Sequence, residues 1–573
     1  MDFNYIIGSD AFIRRTLDAA VLERFEPAVD GGSLDELHAQ NSMICMRMGI
    51  NARFDNLLRV VSPRILAEAA TTWDDNVLSY VERFVGSSLP RDAQAKVALP
   101  LRDGGLGLRS KAQLMHVAFL SAWLASRSLI WKRFPSLRAA LRDTSTAAAT
   151  PLRAMEAVDA TRSSASAGGL ASDLRAAYNN VILNAKNCSL LAELLGARGL
   201  GGFAAPDACP EVFNSLQKKL STNVHSAAKD ALLQRTDRRG QALIRSAGGT
   251  GASAWLTAQR AWGDDFVMPN QHMRVAIAFR LGIDLPQLAD AGLIGGLCPL
   301  LQCSKVNAEG LRVYLDPSER HEACTGICDA KGDHLLGCKF GHHGRIGRHN
   351  GIVNVIARMV RTSFAHKVHV ITDQTLLKHH MQRFDQPGAP PSKHHVPDWR
   401  VIWHTLGHDD DIGDAVVTGF NQVATSGSVT GASALKIQQD KYKQYTSAVL
   451  SRPAPVTTSQ LIAFAMDSAG YIAPDGNAML KKLGERKAAI TCDGVADSSL
   501  SRKSQSQRAA IYRQHMTQAI SVTLMRSQMH VILQAAYNGH QRNATPCARV
   551  PMWARPQFFD ASWAAAYNAT SFC

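Results

Sequence analysis

No run of residues in this 573-residue chain is apolar and long enough to cross a bilayer. The most apolar one, Val117 to Ser126, covers ten residues before Arg127 closes it, where a span needs roughly 20. It reads as a buried helix. The start, Met1 to Arg15, carries Asp2 and Asp10 and lacks a basic leader, a long apolar core and a small-residue cleavage site, so a secretory signal is not expected. Charged residues are scarce at 19%, and 46% hydrophobic residues beside them exclude a wholly disordered protein. The length sets a prior of roughly four domains. Familiar catalytic and phosphate-binding motifs are also missing. There is no His-Glu-x-x-His; Thr425-Ser426-Gly427-Ser428 lacks the nucleophile elbow; Gly248-Gly249-Thr250-Gly251 has no lysine; and the glycine-rich turn from Leu99 to Leu108 is not followed by Gly-Lys-Ser/Thr. Neither Asp74-Asp75 nor Trp262-Gly263-Asp264-Asp265 sits on the hydrophobic hairpin that a two-metal polymerase requires. Both read as solvated or capping acids, and DNA polymerisation is not expected.

What is present is positive charge. Lys and Arg number 63 against 48 Asp and Glu, giving +15 and favouring polyanionic partners, nucleic acid before anionic membrane. Eleven cysteines without a secretory signal point to thiols, and five of them (Cys298, Cys303, Cys324, Cys328, Cys338) fall within 41 residues. Cys324-x3-Cys328-x5-His334-x3-Cys338 supplies three thiolates and an imidazole, a compact set such as structural zinc prefers. Gly326, Gly332 and Gly337 would let the backbone close round an ion. The alternative is a group of unrelated thiols, and Cys298, Cys303, His342, His343 and His349 are spare candidates.

Along the chain the apolar spacing predicts helices over most of the first half. Residues 142–173, rich in Ala, Ser and Thr, read as a linker. From His366 the period changes to that of strands: Val368 and Val370, then Trp399, Val401 and Trp403, then a run from Ala415 to Phe420. A Pro-rich segment, Phe384 to Val396, separates the first two and is flanked by His379-His380 and His394-His395, which read as solvent-facing. A basic helix from Lys436 to Leu450 and a long helix from Ser501 to Tyr537 follow. The fold class expected is mixed, a helical first half and an α/β C-terminal part.

Several stretches carry a resemblance. Arg53-Phe54-Asp55-Asn56-Leu57-Leu58-Arg59, Leu99 to Ser110, Ala252-Ser253-Ala254-Trp255-Leu256, Phe279-Arg280-Leu281-Gly282 and, most specifically, Gly332-Asp333-His334-Leu335-Leu336-Gly337-Cys338 followed by Gly347-Arg348-His349-Asn350 are the residues concerned. With Val368 to Tyr445 they resemble the C-terminal half of a non-LTR retrotransposon polyprotein, downstream of its polymerase palm. The resemblance implies a helical thumb-like region at 1–141, the linker at 142–173, a helical connector at 174–297, a zinc knuckle region at 298–350, a restriction-like endonuclease domain at 351–543 and a tail at 544–573. It implies DNA or RNA as partner, no membrane, and a nuclear location.

The resemblance also implies a nuclease centre. Pro397-Asp398 stands where that family's Pro-Asp opens a strand, and Asp414 occupies the second acidic position sixteen residues later. Asp373 falls where relatives place an earlier Glu. Such acids hold magnesium, which activates water against the scissile phosphate. Val416 fills the place of the usual lysine, and Lys436 or Lys441 from the next helix would substitute, Lys441-Tyr442 matching the family's pattern best. Arg345, Arg348 and Lys443 are candidates for contacting nucleic acid, and the lysines read equally well as a basic face against phosphates. Asp398 reads otherwise as a turn residue after proline, and Asp414 as loop chemistry after the acidic loop Asp409-Asp410-Asp411. A regular hairpin closed on Gly407 to Asp411 would leave the two carboxylates offset along their strands. The rival expectation is a nucleic-acid-binding protein whose nuclease has been silenced at Asp373 and Val416.

Overall fold

The computed structural model describes Leu34 and residues 36–133, part of 173–183, 215–300, 304–306, 312–314, 324–338, 342–377, 397–404, 410–450, 461–492 and 498–543. The linker at 142–173 (Asp173 excepted), the tail at 544–573, Cys303, the Pro-rich segment and its flanking histidine pairs lie outside the described residues. The chain forms two compact units: residues up to Arg235 make the first, except Ala39–Asn41 and Val85–Ser87, which join the second with everything from Thr236 on. The break after Arg235 falls inside the segment expected to be a single helical connector.

Described elements of the first unit are mostly helical, with α1 (Pro63–Val85), α2 (Lys111–Arg133) and α3 (Leu216–Arg235) the longest. In α1, Leu66, Ala70, Trp73, Val77, Tyr80 and Phe84 recur every three or four residues and are buried, one apolar stripe of a helix. Asp74, on the same helix, caps the start of α2: its carboxylate accepts from Lys111 N at 2.8 Å, Ala112 N at 3.1 Å and Ser110 Oγ at 2.6 Å. Asp74 is thus the capping acid that its sequence context suggests.

The second unit contains α4 (Arg238–Ala247), α5 (Asn270–Leu281), a hairpin of β1 (Ser304–Val306) and β2 (Arg312–Tyr314), α6 (Asp333–Gly337) and α7 (His342–Phe364). Next come β3 (Val368–Ile371), β4 (Trp399–Trp403), β5 (Asp411–Thr418), α8 (Ala432–Leu450), β6 (Leu461–Asp467), α9 (Pro474–Cys492) and α10 (Ser498–Asn543). The four strands from β3 form one mixed sheet in that order, antiparallel except for the parallel pair β5 and β6. That pair needs a crossover, and α8 supplies it. Helix α7 packs on β3 and β5, α8 on β5 and β6, and α9 on β6.

Alternation made β3 and β4 legible, and β4 buries Trp399, Val401 and Trp403 on one face. Strand β6 is buried at every position but Ile462. A strand covered on both faces has no period of two to read, which is why the sequence pattern did not mark it. Strand β5 starts at Asp411, four residues before the apolar run expected there. Asp411 belongs to the ladder and not to an acidic loop. It is buried against Lys482 Nζ (2.8 Å), Arg486 Nη1 (3.0 Å) and the Trp403 indole N–H (3.0 Å), which together offset the cost of burying its charge.

The β4/β5 register decides the geometry of the site. Trp399 pairs with Gly413, Arg400 with Ile412 and Val401 with Asp411, and Asp398 N donates to Gly413 O at 2.8 Å. Continuing by one residue sets Asp398 opposite Asp414, on one face of the sheet. The offset expected from a turn over Gly407 to Asp411 does not arise, because the connection is centred earlier, midway between Val401 and Asp411. Gly413 permits this pairing: a Cβ there would stand 2.0 Å from the Trp399 indole ring. Gly413→Ala is expected to destabilise the protein by about 1–3 kcal/mol through displacement of Trp399. Denaturant unfolding checks this, and an unchanged midpoint would count against the register.

Candidate metal centres

Two groups of donor atoms converge among the described residues, each with its ligand atoms within 4.8 Å of one another. One is His349, Asp398 and Asp414; the other is Cys298, Cys324, His334 and Cys338.

The first lies at the end of the β4/β5 pair. Asp398, just before β4, accepts from Ala415 N at 2.6 Å and lies with Oδ2 2.9 Å from His349 Nε2. Asp414 Oδ2 accepts from Lys441 Nζ at 2.9 Å and Tyr445 OH at 2.7 Å. Lys441 and Tyr445 are four residues apart on α8, so one face of that helix delivers both. Burial, then the neighbouring Asp398 charge, holds the Asp414 carboxyl above the usual carboxylate range despite Lys441. Burial alone would lower the His349 imidazole, but its hydrogen bond and attraction to Asp398 outweigh that and raise it. A buried carboxylate raised by a neighbouring acidic charge is a condition that a cation relieves, so this donor set fits a divalent ion.

Of the residues expected here, Asp398, Asp414 and Lys441 come together. Asp373 does not. The β3/β4 register, extended two residues, would set it across from Asp398, but β3 ends at Ile371. The Asp373 carboxylate instead accepts from Thr375 N (2.8 Å) and Leu376 N (3.0 Å), spent as the cap of a helical turn. Lys436 is exposed and pairs with Asp440 at 3.5 Å; five residues before Lys441, it points away from the centre. Lys443 and Arg345 are exposed. Arg348 is a correction: it is buried, donates to Leu336 O at 2.6 Å, and burial pushes its guanidinium down to about 10. It ties α7 to the Cys/His loop and is not available to nucleic acid. His349 and Tyr445 were not read as members of this centre. His349 was visible within Gly347-Arg348-His349-Asn350, and Tyr445 at one helical turn from Lys441.

The second group is built by two extended segments. Leu297 bridges Ile327 antiparallel, Cys298 N donates to Gly326 O at 2.8 Å, Cys324 N to Leu300 O at 3.1 Å and Cys328 N to Gly296 O at 2.9 Å. Cys298, Cys324 and Cys328 therefore share one face of the pair. Cys298 Sγ lies 3.9 Å from Cys338 Sγ, and Cys324 Sγ lies 3.5 Å from His334 Nε2. A tetrahedral ion with bonds of about 2.3 Å to sulfur and about 2.0 Å to nitrogen separates its ligands by about 3.8 Å and about 3.5 Å respectively, so the set fits a metal such as zinc. Gly326 leaves room for the ring, since a Cβ there would stand 2.2 Å from His334 Cε1. Asp329 fixes the turn that carries His334 by accepting from His334 N at 2.6 Å. Asp333 beside it pairs with Arg239 of α4 at 2.5 Å.

Cys298, a spare candidate by sequence, thus takes the place given to Cys328. Cys328 is buried beside it: a hydrogen bond between the two pushes the Cys298 thiol up to about 12 and pulls the Cys328 thiol down. Local spacing pointed to Cys328, whereas the partner strand that brings Cys298 is 26 residues upstream of Cys324.

Compared with protein-family models and with curated proteins, the chain matches none. Cys298→Ser and Cys338→Ser are expected to lose the bound metal, while Cys328→Ser retains it. Elemental analysis of the purified variants checks this; metal lost from Cys328→Ser but kept by Cys298→Ser would restore the ligand set read from spacing.

Proposed function

We propose that this protein is a nucleic-acid-binding endonuclease of mobile-element origin, cutting DNA phosphodiesters with a divalent cation held by Asp398 and Asp414. The observation that carries this reading is the convergence of two buried carboxylates from adjacent strands with a lysine 2.9 Å from one of them. Pro397-Asp398, Asp414 and Lys441 are the positions that the non-LTR retrotransposon resemblance assigns to its restriction-like nuclease. The mixed four-stranded sheet with helices packed on it is consistent with that domain.

A divalent cation there supplies charge neutralisation at the phosphate and activation of water. Magnesium is the ion that the resemblance implies. Asp398 and Asp414 bind and orient; the backbone N–H of Ala415 and the hydroxyl of Tyr445 fix their oxygens. Lys441, once Asp414 has a cation to face, is placed to offset negative charge developing on the phosphate. Lys436, Lys443 and Arg345 supply exposed positive charge for the nucleic-acid backbone. The Cys/His cluster, read as zinc, has four protein ligands and no open position, and so belongs to structure and docking.

The silenced-nuclease reading rested on Asp373 and Val416. A lysine at Val416 is not needed in this arrangement, because Lys441 reaches Asp414 from α8; Asp373 stands outside the donor group. A plasmid-nicking assay with divalent cation is expected to show cutting by the unaltered protein and none by Asp398→Ala or Asp414→Ala. Lys441→Ala is expected to lose about a hundredfold or more, the scale for removing one stabilising group from a charged transition state. Equal rates in all four proteins would remove the catalytic assignment and leave nucleic-acid binding.

A further inference from the structure

We propose that His349 is a third ligand of the cation held by Asp398 and Asp414, and that the centre consequently prefers manganese and related transition ions to magnesium. This rests on the reading of that pair as a metal site, and it goes beyond the carboxylate-only centre that the resemblance implies.

Position is the first argument. His349 Nε2 is 2.9 Å from Asp398 Oδ2. Neighbouring ligands of an octahedral ion with bonds of about 2.1 Å stand about 3.0 Å apart, so the imidazole nitrogen and that carboxylate oxygen are already spaced as adjacent ligands of one ion. The Asp414 oxygen that completes the group lies within 4.8 Å of both, a bound that exceeds by about 0.6 Å the about 4.2 Å between opposite ligands of such an ion.

The far side of the ring is the second. His349 Nδ1 is 3.1 Å from Asn350 Oδ1. An amide oxygen only accepts, so Nδ1 carries the hydrogen and donates it. That fixes the ring's orientation with Nε2 toward the carboxylates, and Nε2, hydrogen-bonded here to Asp398, is the nitrogen that would give up its proton to a bound cation. A ligating histidine commonly has its other nitrogen held by an oxygen in this way. The helix also enforces the aim, because Arg348 on the adjacent position is buried and anchored to Leu336 O, which sets the rotation of α7 about its axis.

The third argument is chemical. Magnesium favours an all-oxygen shell and gives up water reluctantly, whereas imidazole suits the later first-row ions. One nitrogen among two carboxylates therefore shifts selectivity without abolishing magnesium binding. The other donor group among the described residues is the Cys/His cluster, whose thiolates favour a softer ion, and a test on protein first loaded with zinc keeps the two apart.

The test uses the 573-residue chain, loaded with zinc and free of nucleic acid, and reads manganese by electron paramagnetic resonance. One manganese is expected to bind at least about tenfold more tightly than magnesium in competition, with a nitrogen coupling in the pulsed spectrum. In His349→Ala the nitrogen coupling should vanish and the manganese preference shrink to about threefold or less, with magnesium affinity little changed. His349→Gln, which keeps a polar side chain on α7, should do the same and guards against misfolding. Nitrogen coupling or manganese preference surviving in both variants would overturn the proposal, as would the absence of any manganese binding by the unaltered protein. Manganese bound in this pattern by a protein that leaves plasmid DNA intact would uphold the ligand assignment and remove the nuclease reading.

Discussion

The pairing of Trp399 with Gly413 is the constraint on which the candidate nuclease centre depends. It sets the register of β4 on β5, and a register shift of a single residue would turn one of the two aspartates to the opposite face. Because Gly413 has no side chain, the Trp399 indole can lie over it and still be buried, and this fixes Asp398, just before β4, opposite Asp414 within β5. Asp411 reinforces the same register two residues earlier in β5. Its buried carboxylate joins β4 through Trp403 and α9 through Lys482 and Arg486. One acidic residue of the region is thus spent on architecture, holding the strand that carries Asp414.

The helices that pack on the sheet complete the constellation from two sides. From α7 comes His349, and from α8 come Lys441 and Tyr445, so these three polar groups around the carboxylates belong to elements packed on the sheet. Helix α7 has a second role. Arg348, next to His349, reaches the loop of the Cys/His cluster, and Asp333 in that loop reaches α4. The two metal-fitting groups are therefore joined by adjacent residues of one helix, so the Cys/His segment braces the helix that carries His349.

Much of this was legible in the sequence, and the failures have physical reasons. Alternation gave β3 and β4, the apolar spacing gave the long helices, the Cys/His spacing singled out Cys324, His334 and Cys338, and the family resemblance singled out Asp398, Asp414 and Lys441. Strand β6 was silent because burial on both faces erases the period. Asp373 was misplaced because the ladder stops before it, a decision made by capping geometry that no acidic spacing encodes. Arg348 looked like a phosphate contact because charge is visible in sequence and burial is not. Cys298 and His349 were both seen and left unassigned, since each joins its group from a distant segment: Cys298 across an antiparallel pair, His349 from a helix laid against the sheet.

In the proposed centre, Asp398 and Asp414 share a single divalent cation. Anomalous diffraction at the manganese edge, from crystals of the zinc-loaded protein grown with manganese, tests it most directly. The account predicts one peak bonded to oxygens of both Asp398 and Asp414. A peak bonded to only one of them, or no peak between them at saturating manganese, would contradict it.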